Sequence, residues 1–520
     1  MPTFNDARIR QTNAKKTNPA GDYVLYWSQM YRRLDRNHAL DYAVHRAKTL
    51  KKPLIVYEGL KLGYPWASAR HHQFMLEGMR DNARKAKRLG VDYWPFVETP
   101  ENSGRGLLRK LAAKACLVVT DDYPTFIIPG QIQSLARNID VPLAAVDGNG
   151  LIPLSLLGAT VSAAAHLRPR IHKLFADCWD HRAAAEPPFP PAGKIDPPFA
   201  VWNHECDIAE FARQLPIDQS VPAVAGLEGG SEAGHVVLNT FVKQKLRAYA
   251  TGRNNPDDPR RTAASRLSPH LRHGHVSMQE CAERVLTADG PWDASMIDLT
   301  QKNKREGFFH HDDNVNSFLD EALTWRDVGY HWHHTKNAGR GVIDARTVTI
   351  DGQSIPAYFD LQSVIPEWAM KSLKAHESDP REFTYTLEQF ENADTHDHLW
   401  NAAQRELVAT GRIHNYLRML WGKKVLEWSD SVERAYLILE HLNNKYASDG
   451  RDPNSYTGIF WCFGLFDRPW VERKIFGQIR YMSSDNTAKK FDLDGYYDYV
   501  RRLPSVDRVR GRAPGNPPTE

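Results

Sequence analysis

Hydrophobic residues in the first third of the chain fall into short uninterrupted runs separated by longer amphipathic segments. Apolar runs of this length, rich in β-branched and aromatic residues, are typical of strands buried on both faces. The segments between them, such as 37–50 and 68–89, have the length and spacing of helices. This alternation predicts an open parallel sheet with helices on both sides, over residues 22–150. The runs lie at residues 23–27, 53–57, 92–96, 116–120 and 142–146.

The pattern changes after residue 150. Proline-rich, weakly periodic sequence, including 186–191 and 196–198, predicts that residues 151–235 form a connector wrapped over a surface. From residue 236 to 510 the spacing of apolar residues is helical, most clearly at 398–410, 413–428 and 431–445. We therefore expect an α/β N-terminal domain with a Rossmann-like parallel sheet, followed by an all-α C-terminal domain. The ends, 1–21 and 511–520, are expected to be a flexible segment and a disordered tail.

Composition narrows the class of protein. The chain has 520 residues, 42% of them hydrophobic, which is enough for roughly two to four domains. No run approaches the roughly 18 apolar residues of a membrane helix, and the polar N-terminus is not a secretory signal. Five widely separated cysteines without a C-x-x-C pair argue against a disulfide framework, a zinc site or an iron–sulfur cluster. We expect a cytoplasmic monomer with no membrane partner and no bound metal.

Charge alone identifies no partner. The net charge of +4 is compatible with nucleic acid but too small to argue for it. Five arginines between residues 501 and 512 fit either a solvated basic tail or a contact with phosphate groups.

The informative segments begin near residue 395. They read THDHLWNAAQ at 395–404, GRIHNYLRMLW at 411–421, GKKVLEW at 422–428, DGRDPN at 449–454 and FGQIRYM at 476–482. Together with YATGRNNP at 249–256 and ASRLSP at 264–269, and in this order, they resemble the FAD-binding domain of class II cyclobutane pyrimidine dimer photolyases. The resemblance covers most of the chain. It implies that residues 236–510 are a helical FAD-binding catalytic domain and that the N-terminal domain can hold an antenna chromophore of the deazaflavin or folate type.

The resemblance also implies which residues hold FAD. Hydroxyls, backbone N–H groups and arginines are the donors that a pyrophosphate needs. An arginine on an apolar helix face needs a carboxylate partner if it is buried, which favours a pair between Arg418 and Asp449 near the flavin. Asn443 resembles the asparagine beside the reactive flavin nitrogen. Without the flanking motifs, the same residues fit a helix cap or a structural salt bridge. The implied FAD-binding residues are Tyr249, Arg253, Ser265, Arg266, Leu267, Ser268, Asn415, Arg418, Asp449, Gly450 and Asp452.

Three tryptophans match the family's photoreducing triad. Trp421 and Trp428 are seven residues apart, which places them on one helix face about 10 Å apart. With Trp400 they match the chain of indoles that passes an electron from the surface to the flavin. From spacing alone, tryptophans on one helix face are more often core residues.

A pyrimidine dimer inside duplex DNA must be flipped out to reach a buried flavin. Trp325 and Trp461 match the aromatic walls of the family's lesion pocket. Glu321, four residues before Trp325 and so on the same helix face, matches the active-site glutamate that hydrogen-bonds the dimer. Arg480 resembles the residue that fills the space left by the flipped bases. The implied substrate is therefore damaged duplex DNA.

Several segments depart from the family pattern. Residues 326–334 differ from the sequence that the family has at this place. Residues 337–358 look like an insertion relative to the family, and segment 291–314 is longer than the family's. We expect these segments to border the lesion pocket. Two functions stay open: repair of pyrimidine dimers by a carbon–carbon lyase, or blue-light reception by a cryptochrome-like flavoprotein without repair activity.

Overall fold

The N-terminal domain is built around a single six-stranded sheet. The computed structural model describes residues 6–337 and 346–511. The sheet has the strand order β1-β6-β5-β2-β3-β4, in which β2 to β6 are parallel and β1 is antiparallel to β6. Each predicted apolar run forms one of the five parallel strands, so the predicted parallel α/β architecture is confirmed. The strands are β1 (Ile9–Gln11), β2 (Tyr23–Ser28), β3 (Leu54–Leu60), β4 (Asp92–Val97), β5 (Ala115–Asp121) and β6 (Leu143–Val146).

Strand β1 corrects the expectation of a flexible segment over residues 1–21. Ile9 lies opposite Val146 at the sheet edge, and the buried Arg8 side chain donates to the carbonyl oxygens of Asp147 and Leu151. The sequence Ile-Arg-Gln carries no apolar run, because an edge strand is fixed mainly by its backbone hydrogen bonds.

Helices cover both faces of this sheet. The first begins after Asn37, whose side chain accepts hydrogen bonds from the backbone N–H groups of Ala39 and Leu40. The second ends at Gly90, which adopts φ 65°. The four helices are α1 (His38–Leu50), α2 (Ala69–Leu89), α3 (Leu107–Lys114) and α4 (Ile128–Arg137).

Residues 151–235 are more regular than the predicted connector. They contain α5 (Ala164–Asp180), α6 (Ile208–Gln214) and the start of α7 (Gly230–Thr240). Helix α5 buries Leu167, Ile171 and Phe175 against the core of the sheet. Its apolar spacing was masked in the sequence by the proline-rich stretch that follows it.

From α7 onward the chain is mostly helical, as the sequence predicts. The exception is an antiparallel hairpin of β7 (Arg346–Ile350) and β8 (Gln353–Ala357) within the expected insertion. Part of that insertion, residues 338–345, and nearly all of the expected tail, 512–520, lie outside the described residues. The short helices are α8 (Tyr249–Gly252), α9 (Ser268–Arg272), α10 (Met278–Leu286), α11 (Asp313–Leu319), α13 (Leu361–Val364), α14 (Glu367–Ala375), α15 (Leu387–Glu391), α20 (Ser484–Lys490), α21 (Asp494–Arg501) and α22 (Val506–Val509). The longer ones are α12 (Arg326–Asn337), α16 (His398–Thr410), α17 (Asn415–Glu427), α18 (Val432–Tyr446) and α19 (Pro453–Cys462).

Two large hydrophobic cores divide the molecule. The first joins the sheet to residues up to Tyr330, and the second is centred on α16 to α19. Side chains of α2 and the segment before it connect them: Arg70 donates to the carbonyl oxygens of Val408 and Tyr446, and Trp66 donates to His441. None of the helices in the described ranges has both the length and the apolar character that crossing a membrane demands.

Candidate functional site

A partly buried polar cluster lies between α17, α18 and the loop that follows α18. Arg418 on α17 donates to Asp449 at 2.8 Å and to the amide oxygen of Asn443 at 3.0 Å. Asn443 in turn donates to the hydroxyl of Ser455 at 2.7 Å. Although burial opposes it, the Arg418 guanidinium lowers the pKa of Asp449, so the pair is ionised. The structure thus brings together three of the predicted residues around a fixed positive charge.

Gly450 lies in the same loop for a steric reason. A Cβ atom at this position would lie 2.9 Å from the carbonyl oxygen of Asn443 and 3.0 Å from that of Ala447. The loop can approach α18 this closely only without a side chain, and the approach places Asp449 beside Arg418.

Arg412 and Arg253 carry buried donors that could bind an anion. Burial and the nearby charge of Arg266 lower the pKa of Arg412 to about 10. The Nε atoms of Arg412 and Arg253 are buried without a hydrogen-bond partner among the described residues. Buried donors of this kind are costly unless a ligand satisfies them. The donor set therefore fits the diphosphate of FAD, and Arg412, which lies within a quoted motif, is a candidate site residue that sequence reasoning missed.

The other predicted cofactor-binding residues differ in how far they are buried. Tyr249 and Leu267 are buried, and Tyr249 packs against Phe318. Arg266 has φ 60°, a left-handed conformation that redirects the chain just before α9. Ser265 is half-buried, whereas Ser268 and Asn415 are exposed at the first turns of α9 and α17.

Asp452 is occupied by protein donors. One carboxylate oxygen caps α19 through the N–H of Asn454 at 2.8 Å. The other accepts hydrogen bonds from the hydroxyls of Tyr330 at 2.6 Å and Tyr123 at 3.0 Å. Asp452 therefore links the start of α19 to the N-terminal domain, and its carboxylate is not free to bind a cofactor.

Segment 326–334 contacts both the N-terminal half of the chain and α19, the helix that carries Trp461. The Arg326 guanidinium lies over the Tyr330 ring, 4.0 Å from its centroid. Asp327 packs against Gly150, and His331 lies 2.8 Å from the carbonyl oxygen of Gly158. On its other side the segment packs against α19, where the ring centroid of Trp332 lies 5.6 Å from that of Phe460.

The three predicted tryptophans form a continuous buried stack. Trp400 lies between the other two: its ring centroid is 6.4 Å from Trp421, nearly parallel, and 5.9 Å from Trp428, close to perpendicular. Sequence spacing suggested Trp421 and Trp428 as neighbours on one helix, but the ring on α16 connects them. The indole N–H of Trp421 donates to Gln404, and that of Trp400 donates to the carbonyl oxygen of Trp421.

The predicted walls of the substrate pocket are in contact with each other. The rings of Trp325 and Trp461 stack with centroids 5.5 Å apart and an angle of 11° between their planes. Glu321 precedes Trp325 in the π-helical turn Asp320–Trp325 and forms a 2.6 Å ion pair with Arg253. This pair joins a predicted substrate residue to a predicted cofactor residue.

Arg480 contacts a different tryptophan. It is exposed, and its guanidinium lies 5.2 Å from the ring centroid of Trp470, a tryptophan that is 42% exposed. Among the C-terminal arginines, Arg510 has a structural role, since its buried side chain forms a 3.2 Å ion pair with Glu391.

Within residues 6–337 and 346–511, no group of three His, Cys, Asp or Glu side chains is arranged to hold a metal ion. The histidines of segment 326–334 serve packing: His333 is buried among the rings of Trp332, Phe359 and Tyr456.

Comparison with known proteins gives a consistent result. The chain is 32% identical over 510 residues to a deoxyribodipyrimidine photo-lyase of Methanothermobacter thermautotrophicus, covering 95% of this chain and 98% of that one. Its fold is similar to that of a Synechocystis cryptochrome, with a TM-score of 0.61, 15% identity and coverage of 94% and 91%. It is also similar to that of an archaeal photolyase from Sulfolobus tokodaii with two FAD molecules, with a TM-score of 0.59, 16% identity and coverage of 94% and 92%. No protein-family model matches the chain.

Proposed function

The chain belongs to the photolyase/cryptochrome family, and from that premise we propose that it is a class II photolyase that splits cyclobutane pyrimidine dimers in DNA with light. The observation that carries the proposal is the stacked pair of Trp325 and Trp461 beside the ion pair of Arg253 and Glu321. A flat apolar surface next to a hydrogen-bonding carboxylate suits a flipped-out pyrimidine dimer, which is held by stacking and by contacts to its polar edge.

The chain's own residues would bind FAD through two sets of charges. Arg266 and Arg412 would bind the diphosphate, since their mutual repulsion is relieved by an anion. The ion pair of Arg418 and Asp449, with Asn443, would lie along the flavin ring, where the arginine stabilises negative charge. When bound, FAD supplies the electron that light transfers to the dimer.

Glu321 would orient the lesion and share a hydrogen bond with it. Burial raises the pKa of Glu321, and the Arg253 guanidinium opposes that rise. Displacing Arg253 from Glu321 removes the opposing charge, so a lesion that enters between them favours the protonated carboxyl. A protonated carboxyl can donate to a carbonyl oxygen of the dimer.

A light receptor without repair activity is the second candidate, favoured by the similarity of the fold to a cryptochrome. Segment 326–334 was the sequence feature that supported it. Because that segment contacts the N-terminal domain, with Tyr330 against Tyr123 and Asp327 against Gly150, its altered residues do not by themselves argue against a lesion pocket.

The test is to illuminate the FAD-loaded, chemically reduced protein with duplex DNA that contains pyrimidine dimers, and to count dimers before and after. We expect dimers to disappear in light and to persist in the dark. A protein that photoreduces FAD, binds damaged DNA no better than undamaged DNA and leaves every dimer intact would support the receptor. The action spectrum of the same reaction would reveal an antenna, since a deazaflavin or folate adds a band that FAD lacks.

A further inference from the structure

Two of the three stacked tryptophans, Trp400 and Trp421, donate their indole N–H groups to buried acceptors. Trp421 donates its N–H to the side-chain amide oxygen of Gln404 at 2.9 Å. Trp400 donates its N–H to the backbone carbonyl oxygen of Trp421 at 3.0 Å. Gln404 and Trp400 are fully buried, and Trp421 is 2% exposed. Both acceptors are therefore neutral, buried and cut off from water.

The orientation of Gln404 is fixed by its second contact. It lies on α16 one helical turn after Trp400, and its amide nitrogen faces the carbonyl oxygen of Glu391 at 3.4 Å. A carbonyl oxygen can only accept, so the nitrogen of Gln404 must point toward Glu391. Its oxygen is thereby directed at the Trp421 N–H.

The choice of acceptor matters because an oxidised indole is a strong acid. If the N–H proton leaves, the radical becomes neutral and no longer draws an electron readily from the next indole. A carboxylate or an imidazole at this place would accept the proton. An amide oxygen is too weak a base to do so, but it still stabilises the positive charge by a hydrogen bond.

We propose that Gln404 is a positioning residue for electron transfer, which keeps the proton on Trp421 while Trp421 is oxidised. The inference rests on the proposed function. Trp421 gives one electron to photoexcited, oxidised FAD and becomes a radical cation, and then takes one electron from Trp400. Trp400 takes one from Trp428, and an added thiol gives one electron to Trp428, becoming a thiyl radical while its proton passes to water. No proton leaves Trp421 or Trp400 in this sequence.

Two variants separate this role from packing. Gln404→Glu offers a base to the Trp421 N–H, and Gln404→Met keeps a long unbranched side chain but offers no acceptor. The matched control is Gln279→Met. Gln279 is also buried and also makes two hydrogen bonds, in its case both with the backbone: it accepts from the N–H of Ala183 at 3.2 Å and donates to the carbonyl oxygen of Arg36 at 3.2 Å.

The first measurement needs no cofactor. In the apoprotein labelled with ¹⁵N-tryptophan, the indole N–H signal of Trp421, assigned by its loss in Trp421→Phe, should shift in both Gln404 variants. The shift should be downfield for Gln404→Glu and upfield for Gln404→Met, because the hydrogen bond is strengthened in one and removed in the other. Gln279→Met should leave this signal in place.

The second measurement is transient absorption of the FAD-loaded protein. Wild type should show an indole radical cation, whereas Gln404→Glu should show the neutral radical early and a lower yield of photoreduction. Gln404→Met should keep the cation but lose about tenfold in yield, since a hydrogen bond to a charged group is missing. Gln279→Met should match wild type.

The two ideas fail in different ways. Wild-type protein that binds FAD but does not photoreduce it would overturn the photoreducing chain and this inference with it. Wild type that photoreduces normally, with Gln404→Glu showing the same radical cation and the same yield, would overturn this inference alone.

Discussion

Replacing Asp320 tests whether Trp325, the predicted wall of the substrate pocket, depends on a buried charge for its position. Asp320 is 2% exposed and begins the π-helical turn that carries Trp325. Its carboxylate accepts two hydrogen bonds from Arg168 of α5, at 2.7 and 3.1 Å, and one from the indole N–H of Trp325 at 3.1 Å. Arg305 approaches it at 3.5 Å. The acid thus connects α5, the long 291–314 segment and the predicted wall.

The expected cost follows from burial. Asp320→Asn keeps the shape but leaves Arg168, itself 6% exposed, without a carboxylate. Breaking a buried pair from one side costs about 3–5 kcal/mol, and the weakened bond to Trp325 adds roughly 1 kcal/mol. The exposed pair of Arg346 and Glu433, at 2.9 Å with side chains 45% and 47% exposed, should be worth less than about 1 kcal/mol.

Urea unfolding of the two variants Asp320→Asn and Glu433→Gln gives the comparison, followed by their affinity for damaged and undamaged DNA. Asp320→Asn should unfold at markedly lower urea and lose preference for the damaged duplex, whereas Glu433→Gln should do neither. The double variant Arg168→Leu with Asp320→Leu should recover much of the stability but not the preference. Equal unfolding midpoints for Asp320→Asn and Glu433→Gln would refute the reasoning.

Three further results are expected. Trp421→Phe should slow light-driven reduction of oxidised FAD greatly while chemically reduced enzyme still repairs; unchanged photoreduction kinetics would mean another electron route. Glu321→Ala should keep FAD and photoreduction but lower the quantum yield of repair about ten- to a hundredfold, since it removes a hydrogen bond to a charge-bearing intermediate; an undiminished yield would exclude that contact. Burial raises the pKa of Glu440 from 4.5 to about 8, so the native state retains a proton that the unfolded state releases between these values, and stability falls as the pH rises through this window. Glu440→Gln should therefore raise the melting temperature at about pH 9 far more than at about pH 5, and an equal change at both would contradict the assignment.

The sheet was predictable because its strands are buried on both faces. Such strands must be apolar along their whole length, and the five runs record this directly in the sequence. The edge strand β1 faces no such requirement, and its pairing with β6 depends on backbone groups that every residue carries. Helix α5 was missed for another reason: proline-rich sequence next to it obscured a helical period that its buried residues do have.

For the candidate site, the sequence motifs identified candidate residues but not the contacts that these residues make with distant parts of the chain. The pairing of Arg418 with Asp449 joins residues 31 positions apart in two quoted motifs. The family resemblance, together with the need of a buried arginine for a carboxylate, was enough to expect it. Asp320 meets Arg168 across 152 positions, and Asp452 meets Tyr123 across 329. Nothing in local spacing encodes such encounters, because they are fixed by how segments far apart in the sequence pack together in the folded chain. The contacts of segment 326–334 with Gly150 and Gly158 are long-range in the same way, and local spacing does not predict them either.

Helix α17 shows why the three parts of the site are coupled. Over its 13 residues it carries Arg418 in the polar cluster and Trp421 in the electron chain. It also carries Lys423, whose buried ammonium donates to the carbonyl oxygen of Cys462 at 2.7 Å, at the end of α19. Burial lowers the pKa of Lys423 to about 8, yet the carbonyl groups it meets there are the negative end of the helix that bears Trp461. A rotation or shift of α17 would therefore move together the charge proposed to lie beside the flavin, the proposed first electron donor and one predicted wall of the substrate pocket.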